Sequence, residues 1–127
     1  MIEYTVKVYE NGNKEWFLKG KLHREDGPAV EHTNGDKEWY LNDERHREGG
    51  PAVETSDGDK YWYLKGKLHR EDGPAVEISD GTKRWYLKGK EVTEEEVMKP
   101  TKELTVAEIE GLLGYSVKVV KEKKDDE

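Results

Sequence analysis

The chain repeats a 23-residue unit four times, and this periodicity limits its fold more than any other feature. Evenly spaced tryptophans mark the units, at Trp16, Trp39, Trp62 and Trp85. A glycine lies four residues before each tryptophan, at Gly12, Gly35, Gly58 and Gly81. A His-Arg pair and then Gly-Pro-Ala-Val-Glu follow the first three tryptophans. A fixed period of this size predicts stacked supersecondary units, none of which can bury its apolar face alone.

The composition favours a thin array over a compact ball, because only 32% of the 127 residues are apolar and 40% are charged. Residues 1–90 hold 16 basic and 18 acidic side chains, and residues 91–127 hold 6 and 11, so most of the net charge of −7 lies in the second segment. Without a basic patch, we expect binding neither to duplex DNA nor to a membrane. The absence of cysteine and of any apolar stretch of signal-peptide or membrane-spanning length is typical of a soluble protein of the cytoplasm.

Two turn motifs in each unit predict antiparallel hairpins. Asn-Gly or Asp-Gly precedes each aromatic strand, and Lys-Gly follows it, except for Asn42-Asp43 in the second unit. Both motifs favour a two-residue type I′ turn, in which both central residues have φ > 0. With such turns, Val30 is expected opposite Trp39, and Trp39 opposite His46, so that valine, tryptophan and histidine form one row. The tyrosines that follow the tryptophans are then expected on the opposite face.

The first strand is expected to differ from its later counterparts. Around Asn11-Gly12, the same rule places Lys7 opposite Trp16 and Val6 opposite Phe17. A lysine on an edge strand discourages edge-to-edge pairing, as a terminal unit requires.

Residues 91–127 change period and are expected to form a helix-helix-strand cap with a charged tail. Thr93 with Glu96 predicts a capping box, Val92 with Val97 predicts a hydrophobic staple, and Pro100 ends the first short helix. A second helix is expected to open at Thr105, with a strand over residues 115–120. Its apolar stripe comprises Val106, Ile109, Leu112 and Leu113, and Val97, Ile109 and Leu112 are expected to pack on the last hairpin.

The sequence therefore predicts a mainly β fold with two parts. Residues 1–90 are expected to form an elongated antiparallel β-meander of four 23-residue hairpin repeats, and residues 91–127 a small α/β cap.

The motif Gly-x-x-x-Trp-Tyr-Leu-x-Gly, followed by His-Arg-x-Asp-Gly-Pro-Ala, resembles the MORN-variant repeats of bacterial and bacteriophage proteins, a family that includes antitoxin-like proteins. The third unit carries the motif in full over residues 58–75, and the resemblance covers residues 4–90. Three features depart from it: the Asn42-Asp43 turn, Gly49 in place of aspartate, and the fourth unit, which lacks the His-Arg-x-Asp-Gly-Pro-Ala segment. The resemblance implies a scaffold with a binding surface.

The His-Arg pairs are candidate anion- or ligand-binding residues, because histidine can exchange protons and arginine can clamp an anion. They are His23, Arg24, His46, Arg47, His69 and Arg70. Three equivalent copies argue against catalysis, since an active site needs one asymmetric constellation. The simpler interpretation is that each histidine packs beside its tryptophan and each arginine pairs with a nearby carboxylate. A shared metal is not expected, because histidines one unit apart would lie about 14 Å from each other.

The aromatic residues support two further hypotheses. The tryptophan row is expected to form the core, since the chain has little else to bury, although a stripe of aromatics can also stack sugars. The opposite row is the candidate partner-binding surface, because tyrosine is favoured at interfaces. This row comprises Phe17, Tyr40, Tyr63 and Tyr86.

The sequence contains no nucleophile–histidine–acid set, phosphate loop or zinc spacing, so we expect no enzyme activity, no cofactor and no metal. The hypothesis on function is a non-enzymatic interaction protein that binds and inhibits a protein partner, as an inhibitor of host defence or an antitoxin. If a phage encodes it, it would act in the host cytoplasm. A sponge for small ligands or nucleotides built on the His-Arg pairs, a carbohydrate-binding module and homo-oligomerisation stay open as alternatives.

Overall fold

The structure is a computed structural model, and it describes residues 3–98 together with Ala107 and Glu110. The described part is mainly β, with antiparallel strands in a meander and one short helix near its C-terminal end. The strands are β1 (Thr5–Val8), β2 (Lys14–Leu18), β3 (Lys21–Leu22), β4 (Val30–Glu31), β5 (Lys37–Glu38), β6 (Tyr40–Leu41), β7 (Glu44–Arg45), β8 (Val53–Glu54), β9 (Lys60–Tyr61), β10 (Tyr63–Leu64), β11 (Lys67–Leu68), β12 (Val76–Glu77), β13 (Lys83–Leu87) and β14 (Lys90–Val92), and the helix is α1 (Glu94–Met98).

One large sheet runs in the order β1-β2-β4-β5-β8-β9-β12-β13-β14, with β3 paired to β2. Strands β6 and β7, and strands β10 and β11, form two separate pairs. Backbone hydrogen bonds link these pairs to their neighbours, because Asp43 donates to the carbonyl of Leu22 and Gly66 to that of Arg45, both at 2.8 Å. Each sequence unit is therefore joined to the next through the large sheet and again through the turns that follow the tryptophans.

The turns after the tryptophans have the predicted form. Asn42 and Asp43 have φ values of 50° and 67°, and Tyr40 pairs with Arg45 around them. The backbone N–H of His46 donates to the carbonyl of Trp39 at 3.1 Å, which confirms the predicted pairing of these two residues. Lys19, Lys65 and Lys88 adopt the same left-handed conformation before their glycines.

The turns before the tryptophans differ from the prediction, which was wrong by one residue. Val30 pairs with Glu38, not with Trp39, and the N–H of His32 donates to the carbonyl of Asp36. The loop therefore has three residues, Thr33 to Gly35, and only the glycine among them has positive φ, at 103°. A type I turn that ends in a left-handed glycine gives this loop, and Asn-Gly is compatible with it as well as with type I′.

The same shift corrects the first strand. Val6 lies opposite Trp16, and Lys7 lies opposite Glu15. The lysine instead places its ammonium group over the ring of Phe17, 4.8 Å from the centroid. The first unit therefore has a valine opposite its tryptophan, and the prediction that Lys7 takes this place was wrong.

The buried core consists of small side chains and does not include the tryptophan row that the sequence predicted as the core. The buried apolar residues of the described chain are Ala29, Val30, Ala52, Ala75 and Val76, while the four tryptophans are half-buried. No large side chain in this part of the chain is fully buried. The tryptophans therefore cover a thin core of alanine and valine and are not themselves enclosed.

The first helix of the cap begins as predicted. The N–H of Glu96 donates to the hydroxyl of Thr93 at 3.2 Å, and α1 packs beside β13. Ala107 and Glu110 are helical, within the segment predicted as the second helix. The predicted contacts of Ile109 and Leu112 and the predicted strand over 115–120 lie outside the described residues. Among the described residues, no helix is long and apolar enough to cross a membrane.

Candidate functional site

The tryptophan face, defined by the four tryptophans and the residues paired with them, connects successive units. The N–H of Trp39 donates to the carbonyl of Ala52 at 2.7 Å, and Trp16 and Trp62 bond in the same way to Ala29 and Ala75. All three alanines are completely buried. A larger side chain at these alanines would have to enter a fully buried position, so overpacking is expected to be unfavourable there.

Each histidine of the His-Arg pairs holds the turn of the following unit. Nδ1 of His23, His46 and His69 accepts a hydrogen bond from the backbone N–H of Asn42, Lys65 and Lys88, at 2.9, 2.8 and 2.9 Å. In the neutral ring, this places the proton on Nε2, which faces Glu25, Glu48 or Glu71. These histidines therefore satisfy a backbone donor that would otherwise lack a partner at the junction.

Each arginine of the pairs lies flat on the tryptophan of its own unit. The guanidinium carbons of Arg24, Arg47 and Arg70 lie 3.7, 3.8 and 3.8 Å from the ring centroids of Trp16, Trp39 and Trp62. In each, Nη1 donates to the carbonyl of the proline four residues later and to the glutamate seven residues later. The interpretation in which each arginine pairs with a nearby carboxylate is therefore confirmed, and a cation–π contact adds to it.

The glycine of the Gly-Pro-Ala segment makes room for this arginine. A Cβ atom at Gly27, Gly50 or Gly73 would lie 2.9, 2.9 or 2.6 Å from the guanidinium carbon. In the His-Arg segment of the second unit, Gly49 occupies the position at which Asp26 and Asp72 accept a hydrogen bond from the arginine Nε in the first and third units. The side chain of Arg47 is 32% exposed, against 18% and 19% for Arg24 and Arg70.

The loops before the tryptophans form a second ladder of contacts between units. Side-chain oxygens of Asn13, Asp36 and Asp59 accept bonds from the N–H groups of Thr33, Ser56 and Ser79, at 2.9, 2.7 and 2.8 Å. The bond from the Ser56 amide holds the pKa of the Asp36 carboxyl below its ordinary value. The hydrogen bonds between these loops therefore recur from unit to unit.

Shallow grooves lie between units on the tryptophan face. One is lined by Arg24, Asp26, Trp39, His46 and Arg47, and a second by the matching residues one unit later. Five of the six candidate anion-binding residues, all except His23, line these two grooves, but their ring nitrogens and guanidinium groups are engaged in the contacts above. Fewer donors and acceptors of the His-Arg pairs are therefore open to a ligand than the sequence pattern suggests.

The tyrosine face, defined by Phe17, Tyr40, Tyr63 and Tyr86 and the side chains beside them, is the opposite surface. All four rings are half-buried and thus partly open to solvent. Arg45 lies between two of them, with its guanidinium carbon 5.8 Å from the ring centroid of Tyr40 and 5.5 Å from that of Tyr63. The structure therefore brings two of the four predicted contact residues together around one cation.

Glu38 organises this part of the tyrosine face. It accepts hydrogen bonds from the Tyr40 hydroxyl at 3.0 Å and from Arg45 Nη2 at 3.2 Å, and its other oxygen lies 3.2 Å from His32 Nε2. Burial raises the pKa of Glu38, but the bonds from His32, Tyr40 and Arg45 outweigh burial and hold the pKa below its ordinary value. Burial and the adjacent Glu38 charge raise the pKa of Tyr40. At neutral pH the cluster is therefore an ionised carboxylate held by three donors.

Sequence reasoning missed the cluster of His32, Glu38 and Arg45. A signal was present, because two of these residues break the repeat. Arg45 occupies the position of Leu22 and Leu68, and His32 that of Tyr9, Thr55 and Ile78. In contrast, no group of three or more His, Cys, Asp or Glu suited to a metal ion occurs among residues 3–98, Ala107 and Glu110.

Several positions on the tyrosine face differ between units. Three sets of equivalent positions there hold Tyr9, His32, Thr55 and Ile78; Glu15, Glu38, Tyr61 and Arg84; and Leu22, Arg45, Leu68 and Glu91. On the tryptophan face, many equivalent positions repeat the same residue, as with Lys14, Lys37, Lys60 and Lys83 or Glu31, Glu54 and Glu77. The tyrosine face therefore combines a repeated aromatic row with side chains that are particular to each unit.

Comparison with known proteins adds no relative. No family model, no curated protein and no solved structure matches this chain.

Proposed function

We propose that this chain is a non-enzymatic array of four 23-residue hairpin repeats that binds a protein partner through its tyrosine face. One observation carries the proposal: the His-Arg contacts that join the units repeat, whereas the tyrosine face sets its aromatic row among side chains that vary from unit to unit. In a repeat protein, the uniform positions are those that every junction requires. The varied positions are free of that requirement and can be specific for a partner.

The residue types on the tyrosine face suit a protein interface. Tyrosine and arginine are enriched in the buried centre of such interfaces, and tyrosine loses little conformational entropy when it is immobilised. Tyr40 and Tyr63 lie in adjoining units on either side of Arg45, and both are half-buried. This group supplies a central aromatic surface of the kind that dominates binding energy.

Inhibition of the partner is the second part of the proposal. The repeat motif resembles that of antitoxin-like bacterial and phage proteins, and such a role needs only a stable surface that covers a partner's site. The proposed action is that of a host-defence inhibitor or an antitoxin in the cytoplasm. The net charge of −7 would speed association with a basic partner.

A sponge for anions or nucleotides on the tryptophan face has less support. Each arginine of the three pairs already binds a glutamate and a proline carbonyl, and each histidine Nδ1 already accepts a backbone bond. A ligand would have to displace these contacts, and with them the link between units. A carbohydrate stripe has the same difficulty, because arginines cover the faces of Trp16, Trp39 and Trp62.

Affinity capture from a bacterial lysate tests the proposal. The wild-type chain, Tyr63→Ala and Lys60→Ala serve as baits, since Tyr63 lies on the tyrosine face and Lys60 is an exposed residue of the tryptophan face. We expect a stoichiometric protein with the wild type and Lys60→Ala, and much less with Tyr63→Ala. Retention of the chain on glycan or nucleotide resin without a captured protein would instead favour the alternatives.

A further inference from the structure

Arg45 is the one cation at its position in the four units. The equivalent residues are Leu22, Leu68 and Glu91. Because two units place leucine there and keep the same turn and pairing, the fold does not need arginine at this position. Since leucine is sufficient for the fold at this position, the charge of Arg45 points to a role in binding.

Arg45 is also held in one place. Tyr40 and Tyr63 flank its guanidinium, and Nη2 donates to Glu38, which His32 and Tyr40 bind in turn. Its Nε is buried without a hydrogen-bond partner in the described part of the chain. Even so, 42% of the side chain is exposed, against 19% for Glu38. Arg45 is therefore the more exposed partner of this ion pair.

Apart from its ion pair with Glu38, this cation is flanked by aromatic rings. The rings of Tyr40 and Tyr63 stand on either side of it, and Leu22 and Leu68 occupy its equivalent positions in the neighbouring units. A guanidinium in such a setting attracts a single anion more strongly than one in open water does, because the apolar rim reduces screening.

We propose that Arg45 determines the specificity of the tyrosine face, and that the partner is a protein segment with an Asp or Glu side chain between apolar residues. This inference rests on the proposed protein-binding function. The carboxylate pairs with Arg45, while the flanking apolar residues cover Tyr63 and Leu68. A nucleic acid fits less well, because its regular phosphates call for several cations along one face.

Selection from a phage-displayed library of random peptides tests the inference. The full-length chain is immobilised as wild type, Arg45→Leu, Arg45→Lys, Lys60→Leu and Tyr63→Ala. Leucine is the residue of the neighbouring units, so Arg45→Leu retains the fold, which its melting temperature checks. Lys60 is the matched control, since it is an exposed cation of the tryptophan face.

We expect the wild type to enrich peptides with an acidic residue beside aromatic or aliphatic ones. Their affinity should fall about tenfold to a hundredfold with Arg45→Leu, as for loss of a charge-assisted bond, less with Arg45→Lys, and not with Lys60→Leu. Peptides lost with Tyr63→Ala but insensitive to Arg45→Leu, or without acidic residues, would overturn this inference and leave the protein-binding proposal standing. Binding insensitive to both changes, or no enrichment, would overturn both.

Discussion

Nδ1 of His46 lies 2.8 Å from the backbone nitrogen of Lys65 and accepts its hydrogen bond across the junction of two repeat units. The backbone N–H of the same histidine donates to the carbonyl of Trp39 in its own unit at 3.1 Å. One residue therefore connects the tryptophan of one unit to the turn of the next, and this structural role explains why histidine recurs at this position.

Replacement of His46 tests this link. His46→Ala leaves the Lys65 amide without its acceptor, so the free energy of unfolding should fall by about 1–3 kcal/mol. His46→Asn can place an oxygen near the position of Nδ1 and should recover part of this loss. Chemical denaturation measures both variants. Equal stability of His46→Ala and wild type would show that the bond contributes nothing to the junction.

Gly73 is expected to be intolerant of even one methyl group. A Cβ atom there would lie 2.6 Å from the guanidinium carbon of Arg70 and push it off Trp62, so Gly73→Ala should cost about 1–3 kcal/mol of stability. In an Arg70→Ala background the same change should cost much less, because the clash is gone. If the two changes are additive in a double-mutant cycle, the glycine has another reason to be there.

The turn residue Lys65 is strained. Its φ is 50°, a conformation that favours glycine and asparagine over other residues, and Asn42 stands at the equivalent position. Lys65→Asn keeps the backbone N–H that His46 binds and should raise the free energy of unfolding by about 1 kcal/mol. Thermal denaturation measures the gain, with the exposed Lys60→Asn as control for the loss of charge. A decrease in stability would contradict the assignment of strain to this turn.

Glu38 should give the stability a specific pH dependence. Its pKa is lowered in the folded chain, since the bonds from His32, Tyr40 and Arg45 outweigh the opposite effect of burial. The stabilisation is therefore present above the unfolded pKa of about 4.3 and is lost as pH falls through the lower folded value. The stability difference between wild type and Glu38→Gln should shrink below pH ~4. A difference that stays constant from neutral to acid pH would exclude an ionised Glu38.

The sequence was sufficient for the turns after the tryptophans, because Asn42-Asp43 and Lys-Gly each place two residues in the left-handed region. It was insufficient for the turns before them. Asn34-Gly35 suits a two-residue or a three-residue loop, and only the two-residue type I′ loop needs positive φ at Asn34. The loop length decides whether Val30 pairs with Trp39 or with Glu38.

The missed cluster has the same physical cause. His32, Glu38 and Arg45 come from three different strands or loops, and only the correct register brings them to one face. The tyrosine contact with Arg45 further depends on how neighbouring units stack. In contrast, the helix start at Thr93 involves residues only three apart, and it was predicted from local pattern.

The affinity of the captured protein for four forms of this chain tests the central claim most directly. The forms are wild type, Tyr63→Ala, Lys60→Ala and a deletion of residues 122–127, compared by titration calorimetry at two salt concentrations. We expect Tyr63→Ala to weaken binding by about 1–3 kcal/mol, because a central aromatic residue is fully desolvated in an interface. Lys60→Ala should have no effect, and the tail deletion should leave affinity within a few-fold while altering its salt dependence. An essential tail with a dispensable Tyr63 would contradict the claim that the tyrosine face is the binding surface.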